Sequence, residues 1–211
     1  MVSLLTPVVK AFLSDKATDC ADTALQCYGG HGYIRDNGAE QYLRDVRMLR
    51  IGEGTNGIQA MDFVGRKVVG DAGHALGLYF DIIRDTLGLI DAQGRDDLTG
   101  IAGAVRRALD LTVRLTEEEM PRWKAVPEDM AAAACDYLHL VGHLSLGFMW
   151  AKMADTASKA LQDSPADPTF LWNKLRTARF YCSYLLPETE ALAARIRAGS
   201  SDIMAIPDND F

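Results

Sequence analysis

The segment Gln26-Cys27-Tyr28-Gly29-Gly30-His31-Gly32-Tyr33, followed by Arg44-Asp45 and then Ile51-Gly52-Glu53-Gly54-Thr55-Asn56-Gly57-Ile58-Gln59, decides how the chain is read. It sets one carboxylate, Glu53, in a glycine-flanked turn between two expected helices. Glycine permits close approach and unusual φ/ψ, so a side chain there reaches a ligand while neighbouring backbone N–H groups are offered to it. That is the layout a proton-abstracting base needs. The local alternative is a turn carboxylate that caps a helix starting at Thr55, because negative charge is favoured at a helix N-terminus. Gly29, Gly30 and Gly32 do not form G-x-G-x-x-G and no strand pattern precedes them, so the dinucleotide fingerprint is not met.

Outward from this stretch, almost every segment reads as helix. Leu5, Val9, Phe12, Leu13, Ala17, Ala21, Ala24 and Leu25 recur at helical spacing over residues 3–27, and Tyr28-Gly29-Gly30 then stops the run. A second helix is expected over 39–48. A third is capped by Thr55 or Asn56 and continues through Val64, with a break or bend at Gly70, Gly73 and Gly77. Residues 91–99, rich in Asp, read as a loop. Ile101, Val105, Ala108, Thr112 and Leu115 mark a helix ending near Pro121, with Glu117-Glu118-Glu119 as a solvated face. Pro127 opens the next helix, whose buried stripe is Tyr137, Leu140, Val141, Leu144 and Phe148. Residues 164–168 form a turn; a last helix runs from Thr169, kinks at Pro187 and ends before Gly199. Residues 200–211 read as a tail in which Ile203, Ile206 and Phe211 are available to dock on a groove. The expected fold is all-α, an antiparallel helical bundle with a seam near residues 66–100.

Composition narrows the function. A chain of 211 residues, 48% hydrophobic and 24% charged, is ordinary for a globular protein, and a net charge of -7 with pI near 5.1 offers no attraction to phosphate backbones or anionic lipid. Nucleic acid is therefore not expected as a partner. No run of about 18 apolar residues suggests a membrane span, and no signal peptide is evident. Cys20 and Cys27 lie two helical turns apart, about 10 Å, too far for a disulfide, and a cytoplasmic setting is expected.

Gln26 to Tyr33, Arg44-Asp45 and Glu53 to Gln59 together resemble the C-terminal helical domain of the acyl-CoA dehydrogenases, flavoenzymes that introduce a 2,3 double bond into acyl-CoA thioesters. The similarity covers roughly residues 3–69. Gly65-Arg66-Lys67 and the helical remainder look like the extra C-terminal domain of larger bacterial members. The resemblance implies three parts: residues 1–69 from the family's C-terminal helical domain, an additional helical bundle over 70–199, and the tail. It implies that Glu53 takes the C2 proton while the C3 hydride passes to FAD, with the developing enolate held by preorganised donors. Thr55 and Asn56 match flavin-contacting positions, although either also suits a helix N-cap. Gln26, Gly29 and Gly30 match contacts to the ADP part of a flavin held chiefly by a neighbouring subunit; the plainer alternative is a helix C-cap and tight turn.

Gly52 and Gly54 flank the base and are expected to line the substrate pocket. The residue before the base is usually a tyrosine in this family, so Gly52 implies extra room for a bulky or unusual acyl group. Arg50 also departs from the family's small or amide side chain and is expected to pair locally or act on Glu53. Arg44 and Asp45 are expected to form a structural ion pair or helix-end anchor. The expected partners are an acyl-CoA substrate, an electron-transfer flavoprotein or similar acceptor, and further copies in a homo-oligomer. The family's N-terminal helical and middle β-domains have no counterpart here, so the chain is expected to act as the C-terminal portion of a larger enzyme and to be inactive alone. The rival reading is a non-catalytic helical oligomerisation module.

Other constellations read as structural. His139 and His143 stand at i, i+4 but lack the Glu of H-E-x-x-H and a third ligand, so no metal is expected. Trp123, Trp150, Trp172, Tyr137, Tyr181 and Tyr184 are expected in the core, and Gly73 and Gly77 at close helix contacts.

Overall fold

The apolar positions that open the chain wind into α1, Val2–Cys27, which buries Leu4, Val8, Ala11 and Phe12 along one face and leaves Val9 and Leu13 half exposed on another. A computed structural model describes residues 1–163 and 165–210; Ser164 of the expected turn and Phe211 of the expected docking tail lie outside them. After α1 come a single short turn, α2 (Gly30–Tyr33), a 3-10 turn at Arg35–Asn37, and α3 (Ala39–Leu49). None of the residues of α3 is buried. Helix α4, Asn56–Met61, passes into a π-helical stretch, Asp62–Val69, whose wider winding appears in the Gly70 N–H to Gly65 C=O bond of 2.9 Å. Phe63, Val64 and Val68 on this stretch are fully buried.

The expected break falls at residues 70–73, and α5 spans His74–Asp91. Gly73 takes φ +76, a conformation that favours glycine, while the nearest atom to a Cβ there, Met120 Cε at 2.9 Å, is the movable end of its side chain. Gly77 departs from expectation: it lies inside α5, and a Cβ on it would meet nothing within 4 Å. The expected loop over 91–99 also shortens, because α6 already begins at Asp96 and runs to Ala125. Asp96 and Asp97 occupy its first turn, where their charge opposes the helix dipole.

Helix α6 does not stop near Pro121. An interior proline costs about 3 kcal/mol, and here tertiary contacts offset it. Trp123, two residues on, is 1% exposed and packs edge-on to Tyr137 at 4.9 Å. Arg122 donates to the C=O of Ile196 at 2.9 Å and of Arg197 at 3.2 Å, capping a later helix. Glu119 departs from the expected solvated face: it is buried and 2.9 Å from Arg122, and burial raises its pKa above the usual carboxylate range. Glu117 and Glu118 are exposed as expected.

Only Val126 separates α6 from α7, Pro127–Gln162, so the two return side by side. Cross-contacts give the direction: Ser158 meets Asp97 at 2.7 Å at one end, and Tyr137 meets Thr116 at 2.6 Å toward the other. The expected stripe Tyr137, Leu140, Val141, Leu144 and Phe148 is buried throughout. Residues 165–168 form a turn, then α8 (Thr169–Phe180), a π turn at Tyr181–Leu185 just before Pro187, and α9 (Glu188–Ala198) return along α7. Successive contacts His143–Tyr181, Asp136–Arg195 and Asp129–Ser200 again run antiparallel.

The molecule is thus all-α and antiparallel, and apolar residues on both sides of the expected seam share one core. Phe63 stacks on Tyr137 at 5.9 Å, and Phe12 stands edge-on to His143 at 4.9 Å. Gly142 permits that last approach, since a Cβ there would lie 2.5 Å from the Phe12 ring. Trp172 and Tyr184 correct the expected aromatic core: they are 45% and 75% exposed, because α8 buries only Leu175 and Ala178 and the π turn after it only Tyr181 and Cys182. Ile203 and Ile206 remain exposed and undocked. Among the described residues no helix is long and apolar enough to cross a membrane.

Candidate active site

Glu53 carries φ +57, a left-handed conformation that costs an L-residue about 1–2 kcal/mol. The turn is held in that shape from several directions. The Asn56 N–H donates to Arg50 C=O at 3.2 Å and closes its base. The Gln59 side chain donates to Glu53 C=O at 2.8 Å, and Lys10 Nζ, reaching from α1, donates to Gly54 C=O at 2.5 Å. The backbone of Glu53 is therefore bound while its carboxylate is exposed, with no hydrogen bond or ion pair to another described residue. Glu53 and Gly52 line a cavity of about 540 Å³ between α1 and α3, together with Lys10, Leu13, Ser14, Ala17, Met48 and Leu49. The half-exposed α1 residue Leu13 thus supplies an apolar wall.

The capping alternative goes to a different residue. Thr55 Oγ1 accepts from the Ile58 N–H at 3.4 Å, so Thr55, not Glu53, is the N-cap of α4. Its hydroxyl proton remains free to donate, and the residue is exposed.

Asn56 is committed inward. Its Nδ2 donates to Ser14 Oγ and Asp15 Oδ1, both at 2.9 Å, and its Oδ1 accepts from Lys10 Nζ at 2.8 Å. Arg50 pairs with Asp15, Nε to Oδ1 2.5 Å, and Asp15 Oδ2 lies 2.8 Å from His139 Nε2 on α7. His143, one turn on from His139, is buried and 3.2 Å from the Tyr181 hydroxyl. No cluster able to hold a metal exists among the described residues.

Gln26, Gly29 and Gly30 lie elsewhere, at the far end of α1. Thirteen residues separate Leu13 from Gln26, about 20 Å along the helix. All three are exposed; Gly29 takes φ +58, and a Cβ on Gly29 or Gly30 would meet nothing within 4 Å. The expected ion pair between Arg44 and Asp45 does not form, since Asp45 accepts from Gln41 at 2.6 Å one turn back, on its own helix face.

The flavin implied by the resemblance can be tested against this donor set. Thr55 offers a free hydroxyl beside the Glu53 turn, and the Gly29-Gly30 backbone is open to an approaching phosphate; both fit. The Asn56 side chain does not, because its polar atoms are already engaged with α1. Sequence reasoning missed Lys10 and Asp15 and read His139 only as one of a structural pair; their partners lie 44, 41 and 124 positions away.

Residues 2–68 match the family described as acyl-CoA dehydrogenase, C-terminal domain, and residues 79–207 match the one described as acetyl-CoA dehydrogenase C-terminal like. The chain is 31% identical to a 3-methylmercaptopropionyl-CoA dehydrogenase of Ruegeria pomeroyi, over 93% of this chain and 33% of that protein. It is 29% identical to a broad-specificity linear acyl-CoA dehydrogenase of Mycobacterium tuberculosis, over 99% of this chain and 35% of the relative. A butyryl-CoA dehydrogenase of Syntrophomonas wolfei is 27% identical over 100% and 35% respectively. The chain spans about a third of the length of these relatives.

Proposed function

The chain belongs to the acyl-CoA dehydrogenase family, and from that premise we propose that it acts as the C-terminal third of an enzyme that desaturates an acyl-CoA thioester between C2 and C3. Glu53 is the general base. Its carboxylate takes the C2 proton, and FAD, when bound, would supply the two-electron oxidation at C3 that completes the C2–C3 double bond. The observation that carries this reading is an unpartnered carboxylate on a residue that lines a cavity, on a backbone held at φ +57. Strain of this kind persists where surrounding contacts over-determine it, and it concentrates at functional sites.

The remaining roles are carried over from the family resemblance. The Thr55 hydroxyl donates to the cofactor beside the base. Gln26, Gly29 and Gly30 receive the ADP part of a flavin seated on a neighbouring copy, in keeping with their distance from Glu53. Asn56 serves the cofactor indirectly, by fixing the turn. Gly52 leaves the substrate side open, since a Cβ there would touch only Met48, at 3.4 Å and beyond; Gly54 lies beside the cavity rather than in its lining, and a Cβ on it would meet Gln59 Nε2 at 3.3 Å. We take residues 1–69 as the family's C-terminal helices, 70–199 as the additional bundle and 200–211 as the tail. The setting is a cytoplasmic homo-oligomer that passes electrons to an electron-transfer flavoprotein or similar acceptor.

Replacing Glu53 by Gln in the complete enzyme tests the role of the base. Turnover should fall by about 10²- to 10⁴-fold while the flavin absorbance stays. Unchanged turnover would favour the rival, a non-catalytic helical module for assembly.

A further inference from the structure

One aspartate joins the carboxylate turn to the second helical body. Asp15 Oδ1 lies 2.5 Å from Arg50 Nε and accepts from Asn56 Nδ2 at 2.9 Å. Arg50 and Asn56 are the two ends of the turn that carries Glu53, and their backbones are joined by the 3.2 Å bond between them. A single carboxylate oxygen therefore pins both ends of the loop. The second oxygen, Oδ2, lies 2.8 Å from Nε2 of His139, on α7. An ionised carboxylate brings no proton, so the histidine Nε2 is the donor. The side chains of Asp15 and His139 are only 15% and 24% exposed, so water competes weakly for these contacts.

We propose that α7 braces the base: His139, acting through Asp15, is a positioning residue that fixes where the Glu53 carboxylate stands. This rests on the reading of Glu53 as general base. Neither His139 nor Asp15 lines the Glu53 cavity, so neither touches substrate there. Their effect passes through Arg50 and Asn56 to a turn whose backbone, at φ +57, relaxes unless held. Displacement of a catalytic group by about 1 Å costs on the order of 10²-fold in rate, so a brace at this point is worth having. The additional helical body thereby has a task in the reaction as well as in folding.

His139 also packs edge-on against Phe12 at 5.6 Å, so donor and ring must be separated. His139→Phe keeps the ring and removes the donor; His139→Gln keeps a donor and removes the ring. Amide hydrogen exchange across residues 50–58, followed by mass spectrometry in the full 211-residue chain, reads the turn directly. His139→Phe should speed exchange there by about tenfold, the scale of one lost hydrogen bond to a charged group. His139→Gln should restore the parent rate. Should His139→Phe fail to fold, Asp15→Asn weakens the same link and should speed the same amides. Parent-like exchange in His139→Phe, or in Asp15→Asn, would overturn the proposal, as would fast exchange in His139→Gln. In the complete enzyme, His139→Phe should lower kcat with KM kept, whereas a change in KM alone would contradict the brace. Glu53→Gln separates the two readings: if it retained turnover the base assignment would fail, while the exchange rates would still decide whether α7 holds the turn.

Discussion

Glu53 is held where a side chain of its size is seldom found. Lys10, Gln59 and the Arg50–Asn56 backbone bond fix the peptide units around it and leave the carboxylate unengaged. Its neighbour Gly52 has ordinary φ, only Met48 near its missing Cβ, and a place in the lining of the cavity, into which a larger side chain would project. Gly52→Tyr should therefore fold and should shift kcat/KM toward small unbranched acyl groups. The check is a kinetic series across chain length and branching; a parent enzyme that already prefers short unbranched chains, unimproved by bulk, would contradict the open-pocket account. At this scale the sequence revealed the turn, because glycines on both sides of one glutamate announce unusual backbone geometry. It did not reveal Lys10 or Asp15, or the contact that His139 makes. Each is an unremarkable residue on a helix face, and its meaning lies in a partner more than 40 positions away.

Helices read well wherever apolar spacing met a local stop. The Tyr28-Gly29-Gly30 stop of α1 and the Pro127 start of α7 both fall where elementary rules put them. Pro121 was misleading because the rule against interior proline is a cost, not a prohibition, and buried Trp123 with the Arg122 cap outweighs it. The π-helical stretches were invisible because their period is set by packing on α7 and α6 and leaves no composition signal. The crossing of α1 over α7 depends on Gly142, with the Phe12 ring where a methyl would stand. Gly142→Ala should destabilise the chain by about 1–3 kcal/mol, the range for overpacking a filled core. Urea denaturation is the check, and an unchanged midpoint would mean that α1 does not seat as described.

Across the whole molecule, the two family regions fold around one core, and α7 is the element both use. His143, on α7 between Phe12 and Tyr181, shows a consequence of that sharing. Burial, with smaller contributions from the charges of Lys16 and His139, pushes its pKa down to about 4 from an ordinary value near 6.5. The unfolded chain takes up a proton at higher pH than the folded one. His143 thus adds stability that is present above pH 6.5 and is lost as pH falls through 4, amounting to roughly 3 kcal/mol. Urea midpoints between pH 7 and 4 should fall accordingly, and a flat profile would show that His143 is not buried neutral.

The central claim, that Glu53 removes the C2 proton, is tested most directly by isotope exchange. The complete enzyme is incubated with a saturated acyl-CoA in deuterated water, and deuterium at C2 is followed by mass spectrometry for the parent and for Glu53→Gln. The account predicts incorporation by the parent and loss of that exchange in the variant, with flavin still bound. Equal incorporation by both would mean that another group takes the proton.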